Sequence, residues 1–194
     1  MQLLQQIKFI LRITRSHDIV RRYFVVNGFD GALTMLGLIM GFLFSSRTEL
    51  SVIMNVCVGA AIALGMSGMS SAYVSEYAER KHDLDQLEKA MISDLQESAH
   101  GDAARGVPLL IALVNGLAPL VISFLILTPL FLALNGIPLP ASPLYLAIFV
   151  AFLLIFLLGV FLGRVAGISW LRSGTQTLIV ASITSILIWF TSGH

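Results

Sequence analysis

The chain is short of charge. Of its 194 residues only 12% are charged, while 57% are hydrophobic, and the mean hydropathy is +0.88. A soluble domain carries about 25% charged residues, so this composition excludes that class and indicates an integral membrane protein. Cysteine is almost absent as well. Cys57 stands alone in an apolar run, so no intrachain disulfide forms, and it reads as a small buried hydrophobe. Cysteine and histidine do not recur at zinc-site spacings, and there is no phosphate loop, nucleophile elbow or redox pair. The glycines lie within apolar runs and form no dinucleotide fingerprint. No nucleophile–base constellation is present, so the chain is not expected to be an enzyme, to hold a tightly bound cofactor or to bind nucleic acid. The start, "MQLLQQIKFILRITR", scatters its charges and lacks the short apolar core of a cleavable signal.

What the chain does have is long apolar runs. A spanning helix needs roughly 20 such residues, and five segments supply them: about Tyr23 to Ser46, Leu50 to Tyr73, Val107 to Leu134, Leu144 to Gly163 and Thr175 to Thr191. Pro138, Pro140 and Pro143 crowd the connection between the third and fourth, as a short turn requires. Lys8, Arg12, Arg15, Arg21 and Arg22 precede the first span. Arg80, Lys81, Lys89 and Arg105 lie between the second and third, and Arg164 and Arg172 between the fourth and fifth; the other side receives Arg47 alone. The excess of positive charge puts the N-terminus in the cytoplasm. The expected fold is an all-α integral membrane protein with five transmembrane helices. Its second helix extends into a short cytoplasmic helical segment. The divisions are residues 1–22 as an N-terminal amphipathic helix, 23–75 as the first two spans, 76–106 as an acidic cytoplasmic segment and 107–194 as the last three spans. Within the first division, Leu3, Leu4, Ile7, Ile10, Leu11 and Thr14 recur at helical spacing. They suit either the surface of the cytoplasmic leaflet or a dock on the cytoplasmic loop.

The first span carries the polar residues that such a segment should avoid. "NGFDGALTMLGLIMGF" holds Asp30, eight residues after Arg22 and so about 12 Å along a helix. An ionised group in hydrocarbon costs on the order of 3 kcal/mol by insertion scales and usually faces a cavity or a partner. Asp30, Thr34, Gly37 and Gly41 share one helix face. Gly37 and Gly41, in "GLIMG", form a small-xxx-small contact motif. On the second span, Asn55, Gly59, Ile62, Met66, Met69 and Tyr73 fall on one face, with Ser70 beside them. Methionine is most often a filler of core gaps, but its thioether is also a soft ligand for transition metals, and carboxylates accept divalent ions. Asp30, Thr34, Asn55, Met66, Met69 and Tyr73 are the candidate ion path.

Eight of the eleven acidic residues lie between Glu76 and Asp102. The second helix is expected to run on to about Glu97, with Leu84, Leu87, Met91 and Leu95 as an apolar stripe covered by another helix or subunit. Glu76, Glu79 and Asp83 form an acidic row near the membrane, and Glu88 lies on a neighbouring ridge. As single residues these read as a solvated charged face. As a group they concentrate cations at the mouth of a path, so Asp30, Met66, Met69, Glu76, Glu79, Asp83 and Glu88 are the candidate metal ligands. "SAHGDAARGVP" is expected to break the helix before the third span. Pro119 and Pro129 in that span either shape a cavity or bend the helix to pack. The fourth span is the plainest and is expected to face lipid. In the fifth, Thr177, Thr184, Thr191 and Ser185 favour hydrogen bonds between helices.

Two stretches resemble a known family. "RRYFVVNGFDGALTMLGLIMGF" is similar to the first-helix motif of the vacuolar iron transporters, in which an Asp-Gly pair precedes a threonine and glycines. "AIALGMSGMSSAYVSEYAERKHDLDQLEKAM" resembles their second helix and its cytoplasmic extension. The likeness covers most of the chain and is closest to short prokaryotic members. It implies a homodimer with a metal path lined by the first helices. It also implies export of ferrous iron or manganese from the cytosol in exchange for protons, in the cell membrane, with Asp30 as the pore aspartate. The family's second-helix methionine falls near Gly68, so Met66 or Met69 stands in for it. Characterised members carry a glutamate early in the second helix, whereas Val52 to Leu64 holds no acid, and their cytoplasmic domain is longer than Glu76 to Gly106. The alternative is a non-transporting membrane scaffold with a cytoplasmic docking helix.

Overall fold

In a computed structural model, which describes residues 16–45, 48–95 and 97–192, the chain forms five helices and no strand among those residues. They are α1 (Ser16–Phe44), α2 (Leu50–Met91), α3 (Ala99–Leu134), α4 (Pro143–Val165) and α5 (Trp170–Ser192). Each is long and apolar enough to cross a membrane. The protein is an all-α, multi-pass integral membrane protein. On α5, Trp170 and Trp189 are both about half exposed. Their separation is about 28 Å of helix, close to the ~30 Å hydrocarbon core whose two boundaries favour tryptophan. The amphipathic run from Leu3 to Thr14, Arg47 and His194 lie outside the described residues.

The connections follow from local chemistry. Gly136 and Gly167, with φ of +75° and +68°, take the left-handed turn that ends α3 and α4. Beyond them, the N–H groups of Ile137 and Ile168 return to the carbonyls of Leu132 and Gly163 at 3.1 and 2.9 Å. Pro143 then starts α4 at a position where its missing N–H costs nothing. α2 stops at Met91, short of the expected Glu97, because Ile92 takes the same left-handed position at φ +50°. That conformation is an outlier for a β-branched residue. The stretch "SAHGDAARGVP" does not break the chain before α3. The Ser98 hydroxyl caps the helix, accepting from the N–H groups of His100 and Gly101 at 3.2 and 3.5 Å, and α3 runs from Ala99 through Pro108.

The chain divides into two compact units. One joins α1 up to Phe24 with Gly65–Leu117; the other joins Val25–Leu64 with everything from Ala118 on. The core of the second unit takes residues from all five helices, including Met35, Ile39, Cys57, Ile126, Ile155 and Ala181. Within it, α1 meets α3 backbone to side: a Cβ on Gly31 would lie 2.8 Å from both Cα and O of Pro119. The fourth span does not simply face lipid. Ala147, Ala151, Ile155, Leu158 and Gly159 bury one stripe of α4, whereas α5 is the most exposed span, with 11% of its most apolar stretch buried against 33% for α4. Plainness of sequence hid this stripe because its small residues are as apolar as the lipid-facing ones. Among the described hydroxyls of α5, only Thr177 reaches another helix, its O–H lying 3.1 Å from Ile155 O and 2.8 Å from Gly174 O of its own helix. Thr184, Ser185 and Thr191 donate to their own helix's carbonyls. In the first unit a smaller core gathers Ala72, Ala103, Val107, Ile111 and Ala112, with Val20, Tyr23 and Met69 packed on it.

Gly31→Ala is expected to cost about 1–3 kcal/mol, because Pro119 offers backbone rather than a movable side chain to the new methyl. Gly106, with open space around it, is the control: Gly106→Ala should be neutral or stabilising by up to about 1 kcal/mol. Thermal unfolding of the two variants in detergent micelles measures the difference.

Candidate ion path

Asp30 lies in the second unit, in the interior of the apolar stretch Val20–Phe44. Its side chain is exposed, and among the described residues it makes no hydrogen bond or ion pair. The helix face it shares is also thinly covered within the chain. Thr34 is half-buried, a Cβ on Gly37 would meet only Ile188 at 3.6 Å, and one on Gly41 would meet nothing within 4 Å. The glycine pair expected as a contact motif is therefore almost unused among the described residues. Gly31, noticed in the sequence only as the partner of Asp30, makes the close approach instead. It turns toward Pro119 while its neighbour turns away. In the same unit Asn55 is exposed, and Gly59 is open on α2.

The remaining candidates belong to the first unit. The expected common face of α2 splits there. Met66 is 57% exposed, while Met69 turns inward against Gly116, where a Cβ would lie 2.6 Å from Gly65 O and 2.9 Å from the Met69 Cβ. Met69 is thus a packing residue in this unit. Asn115, buried on α3, fixes the same contact by donating its side-chain N–H to Gly68 O. Tyr73 is exposed and stacks on Tyr77, ring centroids 6.0 Å apart.

The acidic row is not uniform. Glu76 is buried, with 5% exposure. It accepts a hydrogen bond from the Tyr23 hydroxyl at 3.2 Å and lies 3.8 Å from Arg80 Nε. Arg22 sits over the Tyr23 ring at 5.7 Å. A buried carboxylate needs such partners, and these tie the start of α1 to α2. Tyr23 is a site residue that the sequence pattern missed, since it and Glu76 are 53 positions apart. Glu79 and Asp83 are exposed. Glu88 accepts from the Leu95 N–H at 3.0 Å and so closes the turn after α2. No three metal-ligating side chains of Asp, Glu, His or Cys come together among the described residues. Within either unit, then, the candidates make a charged surface rather than a chelate.

No family model matches the chain. It is similar to an uncharacterized protein of Methanocaldococcus jannaschii, 29% identical over 169 residues that span 86% of this chain and 85% of that protein.

Glu76→Ala is expected to destabilise the protein by about 3 kcal/mol, since it leaves the Arg80 guanidinium without its counter-charge. Tyr23→Phe, which removes one hydrogen bond to a carboxylate, should cost about 1.5–3 kcal/mol. Unfolding midpoints in micelles should rank wild type above Tyr23→Phe and Tyr23→Phe at or above Glu76→Ala.

Proposed function

We propose that the protein exports a divalent transition metal, ferrous iron or manganese, from the cytosol in exchange for protons, along a path between two copies of the chain. The observation that carries this reading is Asp30: an exposed carboxylate that makes no hydrogen bond or ion pair among the described residues, in the interior of an apolar helix. Lipid does not solvate a carboxylate, so a wet cavity or a partner must cover it. A second copy meets both needs. It brings another Asp30 to the same axis, and the open positions at Gly41 and Gly59 leave room for close helix contact. Two carboxylates facing one cavity supply hard oxygen ligands for a divalent ion. The first-helix motif shared with the vacuolar iron transporters points to the same cargo and to proton exchange. The N-terminus is then cytoplasmic, and the exposed Glu79 raises the local cation concentration at the entrance.

One observation favours a non-transporting scaffold: no three metal-ligating side chains converge among the described residues of a single chain. The two readings separate on metal. A scaffold shows no change in thermal stability at millimolar iron or manganese, whereas the exporter is stabilised by its cargo.

In proteoliposomes with an imposed pH gradient, the wild type is expected to move manganese or ferrous iron. Asp30→Asn should reduce that flux to the level of protein-free vesicles while leaving the folded dimer intact by size-exclusion chromatography. Undiminished flux in this variant would remove Asp30 from the mechanism.

A further inference from the structure

Beyond the apolar runs, α2 and α3 of the first unit flank an open pocket of about 100 Å³. Arg80, Asp83, Leu84 and Leu87 line it from α2, and His100 and Ala103 from α3. Its three polar side chains have capacity to spare. Among the described residues, the Asp83 carboxylate and the His100 ring make no hydrogen bond or ion pair. Arg80 lines the pocket as well, while its Nε is sealed from solvent 3.8 Å from the Glu76 carboxylate, beyond hydrogen-bond range, so the guanidinium charge is only loosely matched.

The charges on the walls restrict what fits. A bare anion drawn to Arg80 and His100 would face Asp83. A bare divalent cation drawn to Asp83 and His100 would face the guanidinium and find no third ligand. A molecule carrying both charges satisfies every wall: its anionic end accepts from Arg80 and His100, its ammonium donates to Asp83, and its short carbon link lies on Leu84, Leu87 and Ala103. The volume holds roughly seven to ten water-sized groups, enough for such a molecule. Depth adds a second restriction. The apolar runs end near Tyr73 on α2 and begin near Val107 on α3, so Arg80 and His100 each lie about 10 Å of helix beyond them. Lipid headgroups occupy the ~5–8 Å outside the hydrocarbon core, so the cavity lies at their outer edge.

We propose that this cavity binds a small zwitterion whose phosphate and ammonium are separated by a short carbon link, the chemistry of phosphoethanolamine as a lipid headgroup or as a free molecule. The site is independent of the metal path. It assigns Asp83 to ammonium recognition rather than to cation capture.

The test uses the full chain in detergent micelles, with the His100 imidazole resonance, assigned by its loss in His100→Gln, as the readout. Phosphoethanolamine is expected to shift that resonance saturably. Inorganic phosphate alone and ethanolamine alone should each bind at least tenfold more weakly, and Asp83→Asn should weaken phosphoethanolamine at least tenfold. Asp83 is exposed, so this variant should keep the fold, which size-exclusion chromatography checks. In bilayer discs, occupancy by phosphatidylethanolamine but not phosphatidylglycerol, seen as loss of the response to added phosphoethanolamine, identifies the lipid as the source. An undiminished response in both kinds of disc identifies the free molecule. The proposal is overturned if phosphate alone binds as well as phosphoethanolamine, if manganese alone produces the saturable shift, if Asp83→Asn binds undiminished, or if no saturable shift occurs.

Discussion

Lipid tails are as apolar as the leucines they touch, so helices inside a bilayer gain little by hiding apolar surface from each other. They are held by close packing and by a few hydrogen bonds. This constraint explains where the glycines matter. Gly31 lets α1 rest on the backbone of Pro119, and Gly116 lets α3 rest on the carbonyl of Gly65. Gly159 and Gly163 open α4 to Thr177 and Ser173 of α5. At each point the missing Cβ brings many atoms of the facing helix into van der Waals range, and each such contact adds only about 0.1–0.2 kcal/mol. Polar side chains then fix the register at single places, Thr177 to Ile155 O in one unit and Asn115 to Gly68 O in the other.

The same constraint makes the uncovered positions informative. Among the described residues nothing lies within 4 Å of a Cβ on Gly41 or Gly59, and they lie on helix faces that also carry Asp30 and Asn55. A lipid-facing helix gains nothing from glycine, which costs about 0.5–1 kcal/mol relative to alanine in a helix interior. Small residues beside polar ones on an uncovered face are what a second protein surface, or a wet cavity, would call for. Glu76 shows the opposite solution to the same problem. It is as buried as the core residues, and it is matched within its own unit by a hydroxyl and a guanidinium.

The five spans were legible in the sequence because length and hydropathy are local properties, and the connection between α3 and α4 was legible from the proline cluster. What the sequence hid depends on partners far along the chain. Met66 and Met69 stand three positions apart on α2, and nothing in their chemistry says that one points outward while the other packs on Gly116. Tyr23 reads as the first residue of a span until Glu76 is brought beside it. "SAHGDAARGVP" looks like a breaker because Gly101, Gly106 and Pro108 are poor helix formers; Ser98 outweighs them with a cap, and Pro108 falls on a buried, well-packed turn. Asp30 was legible as an anomaly from sequence alone, since a lone carboxylate in an apolar run stands out whatever surrounds it.

These two fates of a carboxylate also bear on the acidic segment. Its formal charge suggests one continuous funnel, but its members are spent differently. Glu76 is clamped, Glu88 closes the turn beyond α2, and Asp83 lines a cavity with a guanidinium in its wall. Glu79 remains exposed on the outer surface. Charges arranged in this way do not chelate; they set up a field, and between exposed groups that field decays over about 8 Å at physiological ionic strength. In the proposed exporter the segment therefore raises the concentration of cations near the membrane without choosing among them. Selection falls to whatever ligands a second copy brings around Asp30, which the single chain leaves exposed.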